Sequence, residues 1–301
     1  MSRRALLLFA AMCVIWGIPY LLIRVAVGGI TPATLVFLRT GLAALILLPL
    51  VFTRGGLRPL AGRWTALLAF AAVEIAVPWF LLSSAETHIT SALAGLFISG
   101  VPLVAVIIAT ALGDREHLHA ASLSGLAIGL AGVALIAGFD YHASSGIALV
   151  EMAVVVVGYA LGPAILARYL SGVPSVTVNG VALALCAVVY APVAVWQRPH
   201  ALPGLPVIAS VVLLAAVCTA LAFLIFFALI REIGPVRAMV ITYVNPAVAA
   251  ILGVAILHEN LSLGMGAGFA LVLAGSVLAT RRRKVARLPS SVSEVSAGHA
   301  L

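Results

Sequence analysis

Charged side chains are scarce in this 301-residue chain, where Asp, Glu, Lys and Arg together make up only 9% of the residues. A soluble globular domain carries about 25% charged residues, which cover its surface. With 64% hydrophobic residues and a mean hydropathy of +1.24, this chain has too few polar groups to cover a globule. We therefore expect its apolar residues to face lipid, and a soluble fold is excluded.

Cysteines and enzyme motifs are equally sparse. Cys13, Cys186 and Cys218 lie inside apolar runs without CxxC spacing, so they predict no disulfide framework. His258-Glu259 has no second histidine at the HExxH spacing, and neither a G-x-S-x-G elbow nor a P-loop occurs. The sequence therefore predicts no enzymatic activity, no metal site, no cofactor and no ATP-driven motor.

The net charge of +8 does not form a basic patch. Most Lys and Arg residues stand singly between apolar runs, and such flanking charges orient membrane-spanning helices. Since a clustered basic face is absent, we expect no nucleic-acid partner. Five basic residues lie together near the C-terminus: Arg281, Arg282, Arg283, Lys284 and Arg287.

Ten apolar runs approach the roughly 17–25 residues that a transmembrane helix needs. In hydrocarbon every backbone group must pair within its own segment, and the alternating polarity of a barrel is absent. The predicted fold is an all-α integral membrane protein with ten transmembrane helices. The predicted spans are 5–27, 33–53, 65–84, 91–112, 120–139, 147–167, 176–196, 205–229, 236–257 and 263–280.

Charge in the predicted loops indicates the orientation. Fourteen of the 17 Lys and Arg residues fall on the side of the N-terminus and two fall on the other side. Because basic loops stay in the cytoplasm, this bias predicts a multi-pass inner-membrane protein with both termini cytoplasmic.

An internal repeat is readable in the sequence. Ala71-Ala72-Val73-Glu74 matches Ala215-Ala216-Val217-Cys218 at an offset of 144, and the same offset relates Pro102 to Pro246. Since each copy has five spans, the copies must have opposite orientations, as in many secondary carriers. The predicted organisation is a first repeat at 1–140, a second repeat at 147–283 and a disordered cytoplasmic tail at 284–301.

Several sequence features are shared with a known family. They are Trp16-Gly17, Thr31-Pro32, Arg39, Pro102, Pro246, Glu116, Glu259 and the stretch from Gly234-Pro235 through Tyr243-Val244-Asn245-Pro246 to Glu259. Together they resemble the EamA-type branch of the drug/metabolite transporter superfamily, over about residues 5–283. The chain departs from the pattern at Val181, where the second repeat lacks a counterpart of Arg39, and in a longer loop before Glu116.

The resemblance implies a ten-helix carrier with a central cavity lined by helices one to four and six to nine, with helices five and ten at the periphery. Its members move small organic metabolites, often outward, and include amino-acid exporters. We therefore expect a secondary active transporter working by alternating access, with a small-molecule substrate and the lipid bilayer as partners. The alternatives are import of nucleosides or sugar derivatives, a non-transporting membrane scaffold and an intramembrane enzyme.

Arg39 and Glu74 are charges placed deep inside predicted spans, and such charges mark a cavity, an ion path or an internal pair. We expect them to form an ion pair, either one that substrate disturbs or a static one. A desolvated carboxyl can also load a proton near neutral pH, so Glu74 is the candidate for proton coupling.

The remaining candidates are aromatic, amide and hydroxyl groups within the cavity-lining spans, where a few polar groups on apolar walls are typical of a small-molecule site. Interfacial anchoring is the alternative for the aromatic residues. The full predicted substrate-binding set is Trp16, Tyr20, Arg39, Glu74, Trp79, Ser99, Tyr159, Asn179, Tyr243 and Asn245.

Two further patterns concern helix geometry. Pro102 and Pro246 occupy equivalent positions and are predicted gating hinges, with fixed kinks as the alternative. The spacing of Gly125, Gly129 and Gly132 in span five, and of Gly264 and Gly268 in span ten, permits close helix contact. We expect these glycines to pack against a neighbouring helix, and a homodimer is the alternative.

Overall fold

A computed structural model of the protein describes residues 2–53, 55–111, 113, 120–139, 145–199, 201–234, 238 and 240–280. Within these ranges the chain is helical apart from short turns, and they contain no strand. The predicted tail at 284–301 and Glu116 lie outside the described residues. The all-α prediction is confirmed.

The described residues form fourteen α-helices. Two π-helical segments, Ala71–Ala76 and Ala216–Leu221, join consecutive helices, and Arg58–Leu60 forms a short 3-10 turn. The helices are α1 (Arg3–Ile15), α2 (Pro19–Val27), α3 (Pro32–Thr53), α4 (Trp64–Phe70), α5 (Val77–Ala85), α6 (Ser91–Ile98), α7 (Val101–Ala111), α8 (Ala120–Phe139), α9 (Gly146–Tyr169), α10 (Ser175–Trp196), α11 (Leu205–Ala215), α12 (Ala222–Ile233), α13 (Ile241–Leu257) and α14 (Leu263–Ala279).

Seven helical runs are long and apolar enough to cross a bilayer. Large apolar side chains such as Trp196 (83% exposed) and Leu263 (95% exposed) lie on the outside of the bundle, as expected for a surface in contact with lipid. The chain is thus a multi-pass membrane protein. The seven runs are Arg3–Val27, Pro32–Thr53, Trp64–Ala85, Ser91–Ala111, Gly146–Tyr169, Ser175–Trp196 and Leu205–Ile233, and three shorter apolar helices are Ser122–Ile136, Ile241–Leu257 and Leu263–Ala279.

Contacts between helix ends define two sides of the bundle. Arg4, at the start of α1, lies 3.2 Å from Glu232, at the end of α12. Arg24, near the end of α2, donates a hydrogen bond to the backbone carbonyl of Glu86 at the end of α5. The α1–α2 and α4–α5 runs are therefore parallel to each other, whereas the α11–α12 run is antiparallel to both. We call the side of Arg4 the N-terminal side and the side of Glu86 the far side.

The helices pack in a regular set of pairs. Helix α3 lies along α10, α6 lies along α13, and α8 lies along α14. Two further pairs complete the set, α5 with α9 and α2 with α11.

Glycines make the α8–α14 pair close. A Cβ on Gly132 would lie 2.6 Å from the backbone oxygen of Gly268, and one on Gly125 would lie 2.8 Å from the oxygen of Gly275. Only a residue without a side chain allows two helix backbones to approach this closely. The prediction that these glycines pack against a neighbouring helix is confirmed.

Pro102 and Pro246 are placed differently, although the repeat makes them equivalent. Helix α6 ends at Ile98, and Pro102 is the second residue of α7. Because N–H groups in the first turn of a helix have no partner within the helix, a proline there costs no hydrogen bond. Pro246 lies inside the continuous helix α13. Their role as gating hinges stays a prediction, and the structure shows a helix break only beside Pro102.

Candidate functional site

Arg39 is a buried cation in the middle of α3, with 7% of its surface exposed. Its Nε donates a 3.0 Å hydrogen bond to Oγ1 of Thr219 in the second π-segment. The guanidinium carbon lies 3.6 Å from the centroid of the Trp79 ring in α5, which is a cation–π contact. Three elements from both halves of the chain therefore hold this side chain in place.

Two tyrosines lie near the same guanidinium. Tyr20 of α2 and Tyr159 of α9 are both electrostatic neighbours of Arg39. Tyr20 is buried, and its ring packs beside Gly95 of α6. The structure thus brings four predicted residues together, Tyr20, Arg39, Trp79 and Tyr159, and we call them the Arg39 cluster.

The second π-segment explains why Thr219 can receive Arg39. In a π-turn the backbone bonds run from residue i to i+5, so the transition from the α-helix leaves a carbonyl without its usual partner. The Thr219 hydroxyl donates to the carbonyl oxygen of Leu214 at 2.8 Å. This bond fixes the hydroxyl proton, so the oxygen lone pair is available to the Arg39 Nε–H.

The first π-segment also leaves backbone carbonyls without their usual partners, and side chains of α10 bond to them. The Tyr190 hydroxyl donates to the Ala76 carbonyl oxygen at 2.9 Å, and the Cys186 thiol donates to the Ala71 carbonyl oxygen at 3.6 Å. The two π-segments coincide with the Ala-Ala-Val matches found in the sequence. Isolated π-turns inside α-helices occur frequently at functional sites.

Glu74 lies on the first π-segment with its carboxyl packed against Gly162 of α9, and its Oε2 atom is buried without a hydrogen-bond partner. The predicted Arg39–Glu74 ion pair is wrong for this conformation: the described residues hold an ion pair only between Arg4 and Glu232. The guanidinium of Arg39 is turned toward Thr219 and Trp79 instead. Tyr159 is an electrostatic neighbour of both Arg39 and Glu74.

Trp16 lies outside the Arg39 cluster. Its ring is 4.7 Å from that of Phe226 and 6.4 Å from that of Phe223, both on α12. Tyr243, at the start of α13, places its hydroxyl 3.4 Å from the hydroxyl of Thr280 at the end of α14. Trp16 and Tyr243 therefore take part in contacts between helices, Trp16 with α12 and Tyr243 with the end of α14.

Ser99 and Asn179 use their polar groups locally. The Ser99 hydroxyl donates to the carbonyl oxygen of Leu96 one turn earlier. The Asn179 amide donates to the Ser175 carbonyl oxygen at 2.9 Å. Both side chains are buried, and these bonds satisfy backbone carbonyls of their own helices.

Asn245 joins α13 to the break between α1 and α2. In the amide orientation that satisfies its hydrogen bonds, the nitrogen donates to the Ile241 oxygen at 2.9 Å and to the Cys13 oxygen at 3.1 Å. The backbone of Gly17 bonds to Val14 rather than to Cys13, which leaves the Cys13 carbonyl free for this amide. Asn245 thus supplies the hydrogen-bond donor that the Cys13 carbonyl lacks at the break between α1 and α2.

Two acids with buried carboxyl oxygens were not predicted from the sequence. Glu86 lies two residues beyond the third predicted span, yet it is 0% exposed and neither carboxyl oxygen has a hydrogen-bond partner. Glu151 lies four residues inside the sixth predicted span, and its Oε2 is also buried without a partner. Its position in an apolar run was the available signal, whereas the burial of Glu86 depends on how the helices pack.

The Arg39 cluster has the chemistry of a binding site for an anionic or zwitterionic solute. A guanidinium matches a carboxylate in shape and charge, and aromatic walls accept apolar groups. Among the described residues no carboxylate lies within 4 Å of Arg39. The positive charge is thus available to a ligand.

Known proteins resemble the chain over almost all of its length. "Uncharacterized transporter YvbV" of Bacillus subtilis is 25% identical over 287 residues, which cover 94% of this chain and 93% of that protein. "Uncharacterized inner membrane transporter YedA" of Escherichia coli K12 is 27% identical over 274 residues, which cover 86% of each chain. A protein of known crystal structure shares the fold, with a TM-score of 0.65 and 24% identity over 93% of this chain and 98% of that one.

The family assignment rests on two separate matches. Residues 3–138 and residues 145–281 each match the EamA-like transporter family. These matches agree with the helical bundle, with its lipid-facing apolar surface and with the resemblance seen in the sequence. The chain is therefore a membrane transporter that belongs to the EamA-like transporter family.

Proposed function

We propose that this protein is a secondary active transporter of small organic solutes that carry a carboxylate, with amino acids and related compounds as the substrate class. The observation that carries the proposal is the buried Arg39 guanidinium, which has no carboxylate partner among the described residues. Taking a cation out of water is costly unless an anion pairs with it. A substrate carboxylate supplies that anion, and the rings of Tyr20, Trp79 and Tyr159 enclose the rest of the solute.

The proposed architecture is ten transmembrane helices in two inverted repeats, with boundaries near 1–140 and 147–283. Seven long apolar runs and three shorter apolar helices support the count. The two π-segments mark equivalent positions in the two halves, and the runs that contain them are antiparallel. The pairing of α5 with α9 and of α2 with α11 is the exchange that a two-fold axis in the membrane plane would produce.

Alternating access is the proposed mechanism, with the two repeats rocking about the Arg39 cluster. All eight residues of α6, on the far side, are buried. Of the twelve residues of α12, which leads to the N-terminal side, only Ala222 and Leu229 are buried. This difference supports a conformation that is closed on the far side, with access to Arg39 from the N-terminal side.

Export is the proposed direction, across an inner membrane with both termini in the cytoplasm. The 14-to-2 distribution of basic residues supports this orientation. The name of the Escherichia coli relative includes "inner membrane transporter". With the N-terminal side in the cytoplasm, the conformation described would load its solute from the cytoplasm.

The test is solute counterflow in proteoliposomes. The panel comprises L-amino acids, their N-acetyl derivatives and, as matched solutes without a carboxylate, the corresponding amines and amino alcohols. We expect exchange of solutes with a carboxylate, and at least a tenfold loss in Arg39→Gln, because a buried charged contact is worth about 2–5 kcal/mol. Arg39→Lys keeps the charge without the planar fork and should fall in between.

Arg198→Gln is the matched control, since Arg198 is an exposed arginine beyond α10. Its flux should equal that of the unmodified protein. Equal transport of the amines and the amino acids, or full activity in a folded Arg39→Gln, would contradict the proposed substrate class. Thermal unfolding in detergent separates loss of transport from loss of fold.

A further inference from the structure

Glu259 ties the segment after α13 to the first turn of α6. Its carboxylate oxygens accept hydrogen bonds from the backbone N–H of Ser91 at 2.8 Å, from that of Ala92 at 2.9 Å and from the Ser91 hydroxyl at 3.0 Å. Unpaired N–H groups and the helix dipole make a helix N-terminus favourable for a negative charge. Three hydrogen bonds thus hold the Glu259 carboxylate at the start of α6.

The backbone around Glu259 is shaped for this contact. His258 adopts a left-handed conformation with φ of 54°, and Glu259 N–H bonds back to the Gly253 carbonyl oxygen at 3.1 Å. A Cβ on Gly253 would lie 2.9 Å from the Ser91 hydroxyl and would also meet the Glu259 carboxylate. Glu259 thus closes the far side by joining the two halves of the chain, and we call this contact the far-side latch.

Glu86 lies beside the latch at the end of α5. It is 0% exposed, and both carboxyl oxygens are buried without a hydrogen-bond partner. The Arg24 guanidinium donates to the backbone carbonyl of Glu86 rather than to its carboxylate. A buried carboxylate without donors is so unfavourable that the group takes up a proton instead.

The charged and titratable groups that face Glu86 come from several elements. Burial first, and then the negative charge of Glu259, raise the pKa of Glu86 well above its usual range, and Arg24 and Arg39 act in the opposite direction. Tyr20 of α2 and Tyr159 of α9 also interact with it electrostatically. The two carboxyl groups therefore differ in their surroundings: that of Glu259 accepts three hydrogen bonds, whereas that of Glu86 is buried and accepts none.

We propose that Glu86 is a proton-binding site at the far side, loaded while the latch is closed and emptied when the latch opens to water. Ala85, next to it in the chain, and Ile89 and Leu93, which follow at the same side of the bundle, are 0%, 3% and 0% exposed in the closed conformation. Separation of α6 from the Glu259 segment would hydrate Glu86 and move it away from the charge of Glu259. Both changes favour release of the proton on the far side. The inference rests on the proposed transport function, to which it adds a protonation site that makes opening of the far side depend on pH.

Proton linkage gives the direction in which the equilibrium between the closed and the open far side changes with pH. Burial makes the pKa of Glu86 higher in the closed state than in the open state, where the carboxyl is hydrated. When the pH is below the pKa of the open state, Glu86 is protonated in both states and the closed state keeps its full advantage. As the pH rises above that pKa, the advantage falls by at most about tenfold per pH unit, until the pH exceeds the pKa of the closed state.

The experiment measures access to the far side directly. Ile89→Cys is introduced after Cys13, Cys186 and Cys218 have been replaced by alanine, and the full chain is placed in phospholipid nanodiscs that leave both faces open to reagent. The labelling rate with a water-soluble maleimide is measured from pH 5 to pH 9, with Glu86 and with Glu86→Gln. At each pH the rate with Glu86 is divided by the rate with Glu86→Gln. The ionisation of the thiol introduced by Ile89→Cys affects both rates equally and therefore cancels in this ratio.

We expect this ratio to rise with pH by several-fold or more, because Gln is a permanent analogue of the neutral carboxyl and keeps the latch closed. Glu151→Gln, which changes another buried acid, should leave the pH profile unmodified. A ratio that stays constant within twofold from pH 5 to pH 9 overturns the proposal. If Glu86→Gln does not fold, Glu86→Asp replaces it and should retain pH-dependent labelling, and a flat profile for Asp relative to the thiol's own ionisation overturns the proposal equally.

This readout is independent of transport. A rising ratio without counterflow of any solute on the panel would remove the proposed transport function and leave the proton site standing. Counterflow of carboxylates together with a ratio that does not change with pH would support the transport function and overturn the proton site.

Discussion

Arg39 and Thr219 are 180 positions apart in the chain and are joined by a 3.0 Å hydrogen bond at the centre of the bundle. The bond connects α3 of the first half to the π-segment of the second half. Because Thr219 also donates to Leu214, the guanidinium is fixed by a hydroxyl whose own proton is already used. The position of the buried charge thus depends on a π-turn in the other half of the chain.

Thr219→Val tests that dependence. Valine keeps the shape but removes the hydroxyl, which leaves the Leu214 carbonyl and the Arg39 Nε–H without their partner. We expect a destabilisation of about 1–3 kcal/mol, measured by thermal unfolding, together with weaker counterflow of carboxylate solutes. Thr219→Ser should restore both quantities.

Thr40→Val is the matched control, because Thr40 is equally buried but bonds only to carbonyls within α3. Its effect on counterflow should be small. Equal loss of counterflow in the two valine variants would mean that the Thr219 hydroxyl has no specific role in positioning Arg39.

Trp79→Leu removes the ring that lies 3.6 Å from the Arg39 guanidinium. A desolvated cation–π contact is worth about 2 kcal/mol, so the half-saturation concentration for a carboxylate solute should rise roughly tenfold or more. Trp79→Phe retains a ring and should give a smaller increase. The measurement is the concentration dependence of counterflow, and Trp196→Leu, at an exposed position, is the control. An unchanged half-saturation concentration in Trp79→Leu would show that the Trp79 ring does not stabilise the Arg39 guanidinium.

Glu74→Gln tests the prediction from the sequence that Glu74 couples transport to protons. The Oε2 atom of Glu74 is buried without a hydrogen-bond partner, so a proton is the simplest ligand that would neutralise the carboxyl. We expect solute flux in proteoliposomes to respond to an imposed pH gradient in the unmodified protein and to lose much of that response in Glu74→Gln. Identical gradient dependence in both proteins would exclude Glu74 as the coupling group.

Gly132→Ala tests the close contact of α8 with α14. The added methyl group would lie 2.6 Å from the backbone oxygen of Gly268, and neither backbone can move without separating the helices. We expect a clear decrease in the thermal unfolding midpoint. Gly266→Ala has open space around its new methyl group and should leave the midpoint unchanged or raise it, since alanine favours helix by about 0.5–1 kcal/mol. Equal behaviour of the two variants would refute a close interface.

Part of the candidate site was predictable from local pattern. Arg39 and Glu74 were identified because a charge inside an apolar run is conspicuous, and Tyr20, Trp79 and Tyr159 because they are amphipathic rings in such runs. The match between the Ala71 and Ala215 segments indicated a repeat, and the π-segments that the structure shows there were not predicted. None of these signals contains a distance between helices, so the expected Arg39–Glu74 pair was wrong.

Other assignments depended on contacts that no local pattern reveals. Asn245 was expected to bind substrate, but its amide satisfies the Cys13 carbonyl at a break in another helix. Glu86 lies between two predicted spans, where local pattern indicates a loop. It is nevertheless 0% exposed, at the side of the bundle where Arg24 of α2 bonds to its carbonyl oxygen and Glu259 bonds to the first turn of α6.

The sequence by itself determined that the chain crosses a membrane as helices, because hydrocarbon accepts only segments that are apolar and pair their own backbone groups. It also determined the family and the internal repeat, which are patterns along the chain. Only the tertiary structure decided which buried charges meet, which polar side chains satisfy backbone carbonyls and which acid is sealed at the far side. Those outcomes depend on how helices distant in sequence approach one another, and a difference of a few ångströms changes whether a carboxyl is hydrated, paired or alone.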